Sequence, residues 1–396
     1  MDNFSIQLYT DIVFGKDAEK QVGKKVRQHG GTKVLLVYGA GSVKRSGLYD
    51  TVVSCLAEEG IEYVDFGGIK PNPSLSKARE GIELARKEGV DFLLAIGGGS
   101  AMDTAKGIAL GLANPENDIW ADFYLAKKEP QKSFPVGTIH TLSATGSEQS
   151  RSTVLKDEEN NQKSGINAAV NRPVFALMNP ELTYTVPPYQ TAAGAADIFA
   201  HVVERYFYPA DTYLGDAFAE AMMRSVVKYS PIALANPTDY ESHAELMLAG
   251  AYAHCDLAAI GRKNIAMDGS CHGLERQMGG LFDTTHGAGL AVLMPAWVLY
   301  TAEHMENPKQ QYKFAVNVFG VEPNENDKMA VIREGVARFR AWLKGMGMPL
   351  TFSDMGLSEE DIEKLISANA PKNGATVGAM YPMTAEDYRN IYYSVK

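Results

Sequence analysis

What constrains this chain most is a change of hydrophobic period near residue 186. Ahead of it, short β-branched or apolar runs alternate with helical patterns; behind it only the 3.6-residue period of helices remains. The runs 33–38, 61–66, 92–96, 134–139 and 174–178 read as strands. Helical stretches follow the first to about Glu59, the second from an N-cap at Ser74 to about Lys87, and the third from Ser100. Such alternation implies a parallel sheet covered on both faces. Ser152–Leu155, followed by Asp157-Glu158-Glu159-Asn160-Asn161, reads as the tip of a β-hairpin. Beyond Pro188 the expected helices cover 188–207, 212–229, 240–259, 270–280, 287–303, 308–318, 328–346 and 358–369. The expected fold is therefore a Rossmann-like α/β domain over 1–186 and an all-α domain over 187–396. A chain of 396 residues is long enough for both cores.

Two glycine clusters fall at strand ends, where such a sheet binds its ligands. Gly39-Ala40-Gly41-Ser42 lets the backbone approach a phosphate. Gly97-Gly98-Gly99-Ser100 opens a helix whose N-terminus favours an anion. Neither is a complete fingerprint: Lys44 stands where G-x-G-x-x-G needs its third glycine, and 97–106 lacks the G-K-[ST] ending of a P-loop. Each alone reads equally well as a tight turn; the pair in one sheet favours a nucleotide site. A net charge of −10, without a basic run, argues against a nucleic-acid partner. The three cysteines suit a reducing cytoplasm. The N-terminal stretch has no signal-peptide pattern, and no apolar run reaches membrane-spanning length.

In the helical half, Asp197 and His201 share one helix face, roughly 6 Å apart along the axis, a spacing from which both can reach one divalent metal. Taken alone, D-x-x-x-H reads more readily as a surface pair. His272 and His286 lie 14 residues apart, across a Gly279-Gly280 break that can turn them towards one point. His29, His140, His243, His254 and His304 read as solvent-facing or packing residues, with His140 of interest because it sits near a strand end.

Together these segments resemble the iron-containing, group III alcohol dehydrogenases, and within them the NADPH-dependent butanol dehydrogenase branch. The resemblance rests on Tyr38–Lys44, Gly67–Pro73, Gly97–Lys106, Ser143–Glu148, Asp197-x3-His201 and His272-x13-His286-Gly287-Ala288-Gly289, and it spans nearly the whole chain. It implies an N-terminal dinucleotide-binding domain and a helical C-terminal domain, with the active site in the cleft between them. It also implies that Asp197, His201, His272 and His286 hold one divalent metal, Fe²⁺ by the family's name and Zn²⁺ by affinity. That metal polarises the carbonyl of an aldehyde while the nicotinamide transfers hydride.

Carried over in the same way, Gly39, Gly41, Ser42, Lys44, Asn72, Gly97, Gly98, Gly99 and Ser100 contact the cofactor. Asp103 lies by the nicotinamide amide, Thr138, Thr141 and Leu142 line the adenosine side, and Lys163 reaches a ribose. No carboxylate ends the first strand, while Ser42, Lys44 and Arg45 follow it, which favours NADP(H) over NAD(H). Relatives commonly have a second histidine where this chain has Arg276. A permanent cation cannot relay a proton near neutral pH, so Arg276 serves either an anion or a neighbouring carboxylate such as Glu275. The implied assembly is a cytoplasmic homodimer acting on a small alcohol or aldehyde, without nucleic acid or membrane, and Phe4–Thr10 is compatible with a dimer contact. The competing readings are a polyol dehydrogenase of the glycerol dehydrogenase kind and an inactive dinucleotide-binding protein of the same fold.

Overall fold

The strands of the α/β half are β1 (Asp11–Phe14), β2 (Lys33–Gly39), β3 (Glu62–Ile69), β4 (Phe92–Gly97), β5 (Val136–His140), β6 (Ser152–Asp157), β7 (Gln162–Asn167) and β8 (Phe175–Met178). They come from a computed structural model that describes residues 1–263 and 267–396. Contacts divide the chain into Gln7–Thr185 and Val186–Lys396, with Met1–Ile6 joining the helical unit; Asp2 donates its backbone N–H to Gly261 there at 2.9 Å. The sequence placed those first residues with the α/β half.

Six strands form one parallel sheet in the order β1-β8-β5-β4-β2-β3, and β6 and β7 pair as an antiparallel hairpin. The helices between them are α1 (Val22–Gln28), α2 (Ser42–Arg45), α3 (Leu48–Glu58), α4 (Leu75–Glu88) and α5 (Gly99–Ala113). Alternate residues of the central strands enter separate cores. Leu35, Val37, Leu93 and Ala95 pack with α4 and α5, whereas Val34, Leu36, Leu94 and Ile96 pack with α1 and α3. Because both faces are covered, these strands read as unbroken apolar runs. Ser74 caps α4 by accepting from the N–H of Lys77 at 3.2 Å. The order reverses between β2 and β4, which sets the turns after those two strands side by side at a switch point.

Two features of this unit departed from expectation. Strand β1 adds an edge to β8, in register Asp11↔Phe175, and its four residues are too few to show a period. The helix expected to run to Glu59 is two, α2 and α3, broken at Ser46-Gly47.

The helical unit contains α6 (Pro188–Tyr206), α7 (Tyr213–Ala235), α8 (Tyr240–Ala253), α9 (Ser270–Glu275), α10 (Met278–Phe282), α11 (His286–His304), α12 (Lys309–Asn317), α13 (Lys328–Gly345), α14 (Glu359–Asn369) and α15 (Ala385–Ser394). Pro188 occupies the first position of α6, where its missing N–H costs nothing. From Ala192 to Tyr206 this helix is buried on every side, so it is the centre of its unit. Phe199 anchors it, with ring centroids 4.9 Å from Phe339 and 5.1 Å from Trp342. Helix α7 carries Pro231 within it and continues past the expected end at Tyr229. The expected helix over 270–280 is split into α9 and α10, and α15 was not foreseen, although Thr384 and Asp387 form a reciprocal cap at its start. Among the described residues no helix is long and apolar enough to cross a membrane.

Helices α6 and α11 meet at unusually close range. A Cβ on Gly287 would lie 1.9 Å from the backbone oxygen of Ala193, so only glycine fits. Replacing Gly287 with Ala must push α11 away from α6, and overpacking of this kind costs about 1–3 kcal/mol. A fall of that size in the unfolding free energy, measured by denaturant titration, is the expected outcome; an unchanged value would show that the contact is not close.

Candidate metal centre and nucleotide turns

In the α/β unit, three of the predicted cofactor segments sit at the carboxyl ends of adjacent strands: Gly39–Ser42 after β2, Gly97–Ser100 after β4, and Thr141–Leu142 after β5. The N–H of Thr141 donates to Gly97 O at 3.1 Å, which folds the third segment over the second. The fit is tight enough to demand glycine: a Cβ on Gly98 would lie 3.0 Å from the Leu142 side chain, and one on Gly99 2.5 Å from Thr145 Oγ1. α5 thus begins on glycines packed against Leu142 and Thr145, at the kind of helix N-terminus that favours an anion. Thr138 is fully buried within β5 and its hydroxyl donates to Phe175 O at 3.3 Å. Asn72, at φ 54°, accepts from Lys163 Nζ at 3.4 Å, so these two predicted residues do meet.

Asp103 is engaged by the protein itself. Its Oδ1 accepts from Ser147 Oγ at 2.6 Å and its Oδ2 from the N–H of Val154 at 3.0 Å. The fully buried Lys106 donates to Ser147 O at 2.7 Å, Ser150 O at 3.0 Å and Ser152 O at 3.0 Å. Burial pushes this ammonium down to about 8 against the pull of Asp103 and Glu148. The carbonyls it serves hold the whole loop from Ser147 to Ser152 on α5. Nearby, His140 lies 3.3 Å from Glu148, both buried; burial alone would raise the Glu148 carboxyl, but His140 brings it below its ordinary value.

At the first turn the structure adds a carboxylate that the sequence reading overlooked. Asp65, on β3, lies 3.3 Å from Lys44 Nζ and accepts from the hydroxyl of Tyr38 at 2.8 Å. Asp65 comes from the strand beside β2, so the end of β2 alone does not reveal it.

In the helical unit, Asp197, His272 and His286 each offer a ligand atom, all within 4.8 Å of one another. His286 Nε2 lies 3.6 Å from Asp197 Oδ1, and His201 Nε2 lies 3.4 Å from that oxygen. Two donors held roughly 2.1 Å from one tetrahedral ion stand roughly 3.4 Å apart, so these separations suit a shared metal. The His201 ring falls outside the tightest trio and stacks between His254 and His272, with centroids 4.2 and 4.6 Å away. Burial, then the neighbouring histidines and Arg205, holds its pKa well below the usual value, leaving the neutral form that metal ligation needs. His272 Nε2 is buried without a hydrogen-bond partner. One carboxylate and several imidazoles, with such an orphaned nitrogen among them, fit Fe²⁺ or Zn²⁺.

Sequence reasoning missed two further carboxylates. Glu204 contacts Nδ1 of His272, and Glu275 lies 2.5 Å from Nδ1 of His286. A signal for Glu204 was present: Asp197, His201 and Glu204 recur at i, i+4 and i+7, one face of α6. Glu275 thus lies beside His286, and Arg276 is exposed with no ion pair among the described residues.

The chain is similar to known proteins. Residues 10–180 match the iron-containing alcohol dehydrogenase family and residues 191–395 its C-terminal domain. The chain is 36% identical to NADH-dependent butanol dehydrogenase A of Clostridium acetobutylicum, covering 99% of each. It is 32% identical to an NADPH-dependent aldehyde reductase of Escherichia coli, covering 100% of each. Among solved structures it superposes on an NADH-dependent butanol dehydrogenase A from Thermotoga maritima with a TM-score of 0.93, at 36% identity, covering 100% of this chain and 99% of the other. With residues 10–180 and 191–395 matched, this chain belongs to the iron-containing alcohol dehydrogenase family.

Proposed function

We propose that this protein interconverts aldehydes and primary alcohols with NADP(H) and one divalent metal held by Asp197, His201, His272 and His286. The observation that carries the reading is the convergence of Asp197, His272 and His286 donors within 4.8 Å inside a helical core. Bound there, the metal supplies Lewis-acid polarisation of a carbonyl. The Gly97–Ser100 turn receives the pyrophosphate on the N–H groups of α5, and the Ser147–Ser152 loop, fastened by Lys106, keeps Asp103 and the turn in place. The relatives are named as butanol dehydrogenases and an aldehyde reductase, which supports this chemistry over a polyol dehydrogenase. An intact donor set argues against an inactive binding protein. We take Fe²⁺ as the native metal, from the family's description.

NADP(H) is proposed because the turn 38–45 holds Ser42, Lys44 and Arg45 and no carboxylate. Asp65 balances Lys44, but both are half-exposed, and a pair of this kind is weak. A 2′-phosphate offers Lys44 a stronger, charge-assisted contact. We also infer a cytoplasmic homodimer. The three cysteines form no disulfide, and β1 is a sheet edge with Leu8 and Tyr9 exposed ahead of it and Phe14 exposed at its end; sedimentation velocity checks the stoichiometry.

Protein reconstituted with Fe²⁺ without oxygen should oxidise NADPH on addition of butanal. His272→Ala should abolish that turnover and leave NADPH binding, followed by fluorescence, nearly unchanged; full turnover in metal-stripped protein would overturn the reading. For cofactor choice, Lys44→Ala should lower kcat/KM for NADPH roughly tenfold with little effect on NADH. Equal efficiency of the wild-type enzyme with both cofactors would refute the NADP(H) assignment.

A further inference from the structure

Two fully buried carboxylates stand behind the ligand histidines, and they are bound differently. Glu204 uses both oxygens: Oε1 accepts from the backbone N–H of Cys271 at 2.7 Å and of His272 at 3.2 Å, while Oε2 contacts His272 Nδ1. Glu275 approaches His286 Nδ1 with Oε2, at 2.5 Å, as an ion-pair contact, and neither of its oxygens makes an aligned hydrogen bond. A carboxylate hydrogen-bonded to an imidazole nitrogen, as Glu204 is to His272, requires a proton between them. In a neutral ring that proton sits on Nδ1 and leaves the Nε2 lone pair bare. His272 Nε2 is the atom found without a partner.

We propose that Glu204 and Glu275 are positioning residues that fix the tautomers of His272 and His286, aim both Nε2 lone pairs at the metal, and strengthen its binding by their charge. The proposal rests on the metal reading above. Its sharper part is an asymmetry between the two. An amide at position 204 has one acceptor and one donor end, so it cannot serve the two backbone N–H groups and the Nδ1–H together. With its oxygen on the backbone, its NH2 faces Nδ1 and drives the proton to Nε2, which removes the lone pair from the metal. With its oxygen on Nδ1, its NH2 opposes two N–H donors. At position 275 a glutamine oxygen can replace Oε2 without conflict, so only the charge is lost.

The full-length chain, stripped of metal, is titrated with Zn²⁺ against a chromophoric chelator. Loss of an outer hydrogen-bond partner of a metal-ligating histidine typically costs 10–100-fold in affinity. Glu204→Gln should weaken Zn²⁺ binding by about that much, and Glu275→Gln by distinctly less. Long-range ¹H–¹⁵N spectra of histidine-labelled, metal-free protein supply a reading independent of activity. His272 should carry its proton on Nδ1 in the wild type and on Nε2 in Glu204→Gln. Affinity within twofold of wild type for Glu204→Gln, or an Nε2–H tautomer of His272 in the wild type, would overturn the proposal. The wild-type spectrum decides even where the variant fails to fold. Failure of the wild type to bind Zn²⁺ or Fe²⁺ at all would instead overturn the metal reading, and this proposal with it.

Discussion

Three carboxylates, Asp197, Glu204 and Glu275, lie almost wholly out of water within the apolar core of the helical unit. A buried carboxylate is costly unless donors answer it; here an imidazole and two backbone N–H groups answer Glu204, and imidazoles stand close to Asp197 and Glu275. That demand organises the unit. α6 carries Asp197, His201 and Glu204 on one face; α9 must begin where its first N–H groups meet Glu204; and α11 must begin where His286 meets both Asp197 and Glu275. Small residues make this possible, since the alanines of α6 and Gly287 of α11 let two backbones approach far closer than larger side chains allow. Asp268 extends the arrangement to the C-terminal segment by accepting from the N–H groups of Ala379 and Met380 at 2.8 and 2.9 Å.

The α/β unit solves a related problem with one buried cation. Lys106 is shut away from water, and its ammonium is satisfied by carbonyls of the loop from Ser147 to Ser152. Through Ser147 the same ammonium is coupled to Asp103, whose second oxygen holds the start of the hairpin at Val154. Burial opposes the charge, and the surrounding oxygens sustain it. The result is a glycine turn whose neighbouring loop is held from behind.

Much of this was legible in the chain itself. The central strands show their full burial as unbroken apolar runs, and the long helices show their 3.6-residue period, so five of the six strands of the main sheet and most of the helices can be read directly. What escaped was short or depended on neighbours. β1 has four residues and no period of its own. The break after α9 falls where sequence periodicity ran on through Arg276. Asp65 belongs to the first turn only because β3 lies beside β2, and Glu275 belongs to His286 rather than to Arg276 because α9 and α11 pack together.

The sequence alone determined two units, the glycine turns at the strand ends, and the candidate donors Asp197, His201, His272 and His286. Periodicity and spacing are local properties, and a chain displays them before it folds. Only the tertiary structure decided which carboxylates stand beside these histidines, Glu204 against His272 and Glu275 beside His286. Those are relations between side chains from separate helices: His272 with Glu204, 68 residues apart, and His286 with both Asp197 and Glu275. They arise because a core without water forces each buried charge to find its partner in space, and spacing along the chain does not encode that.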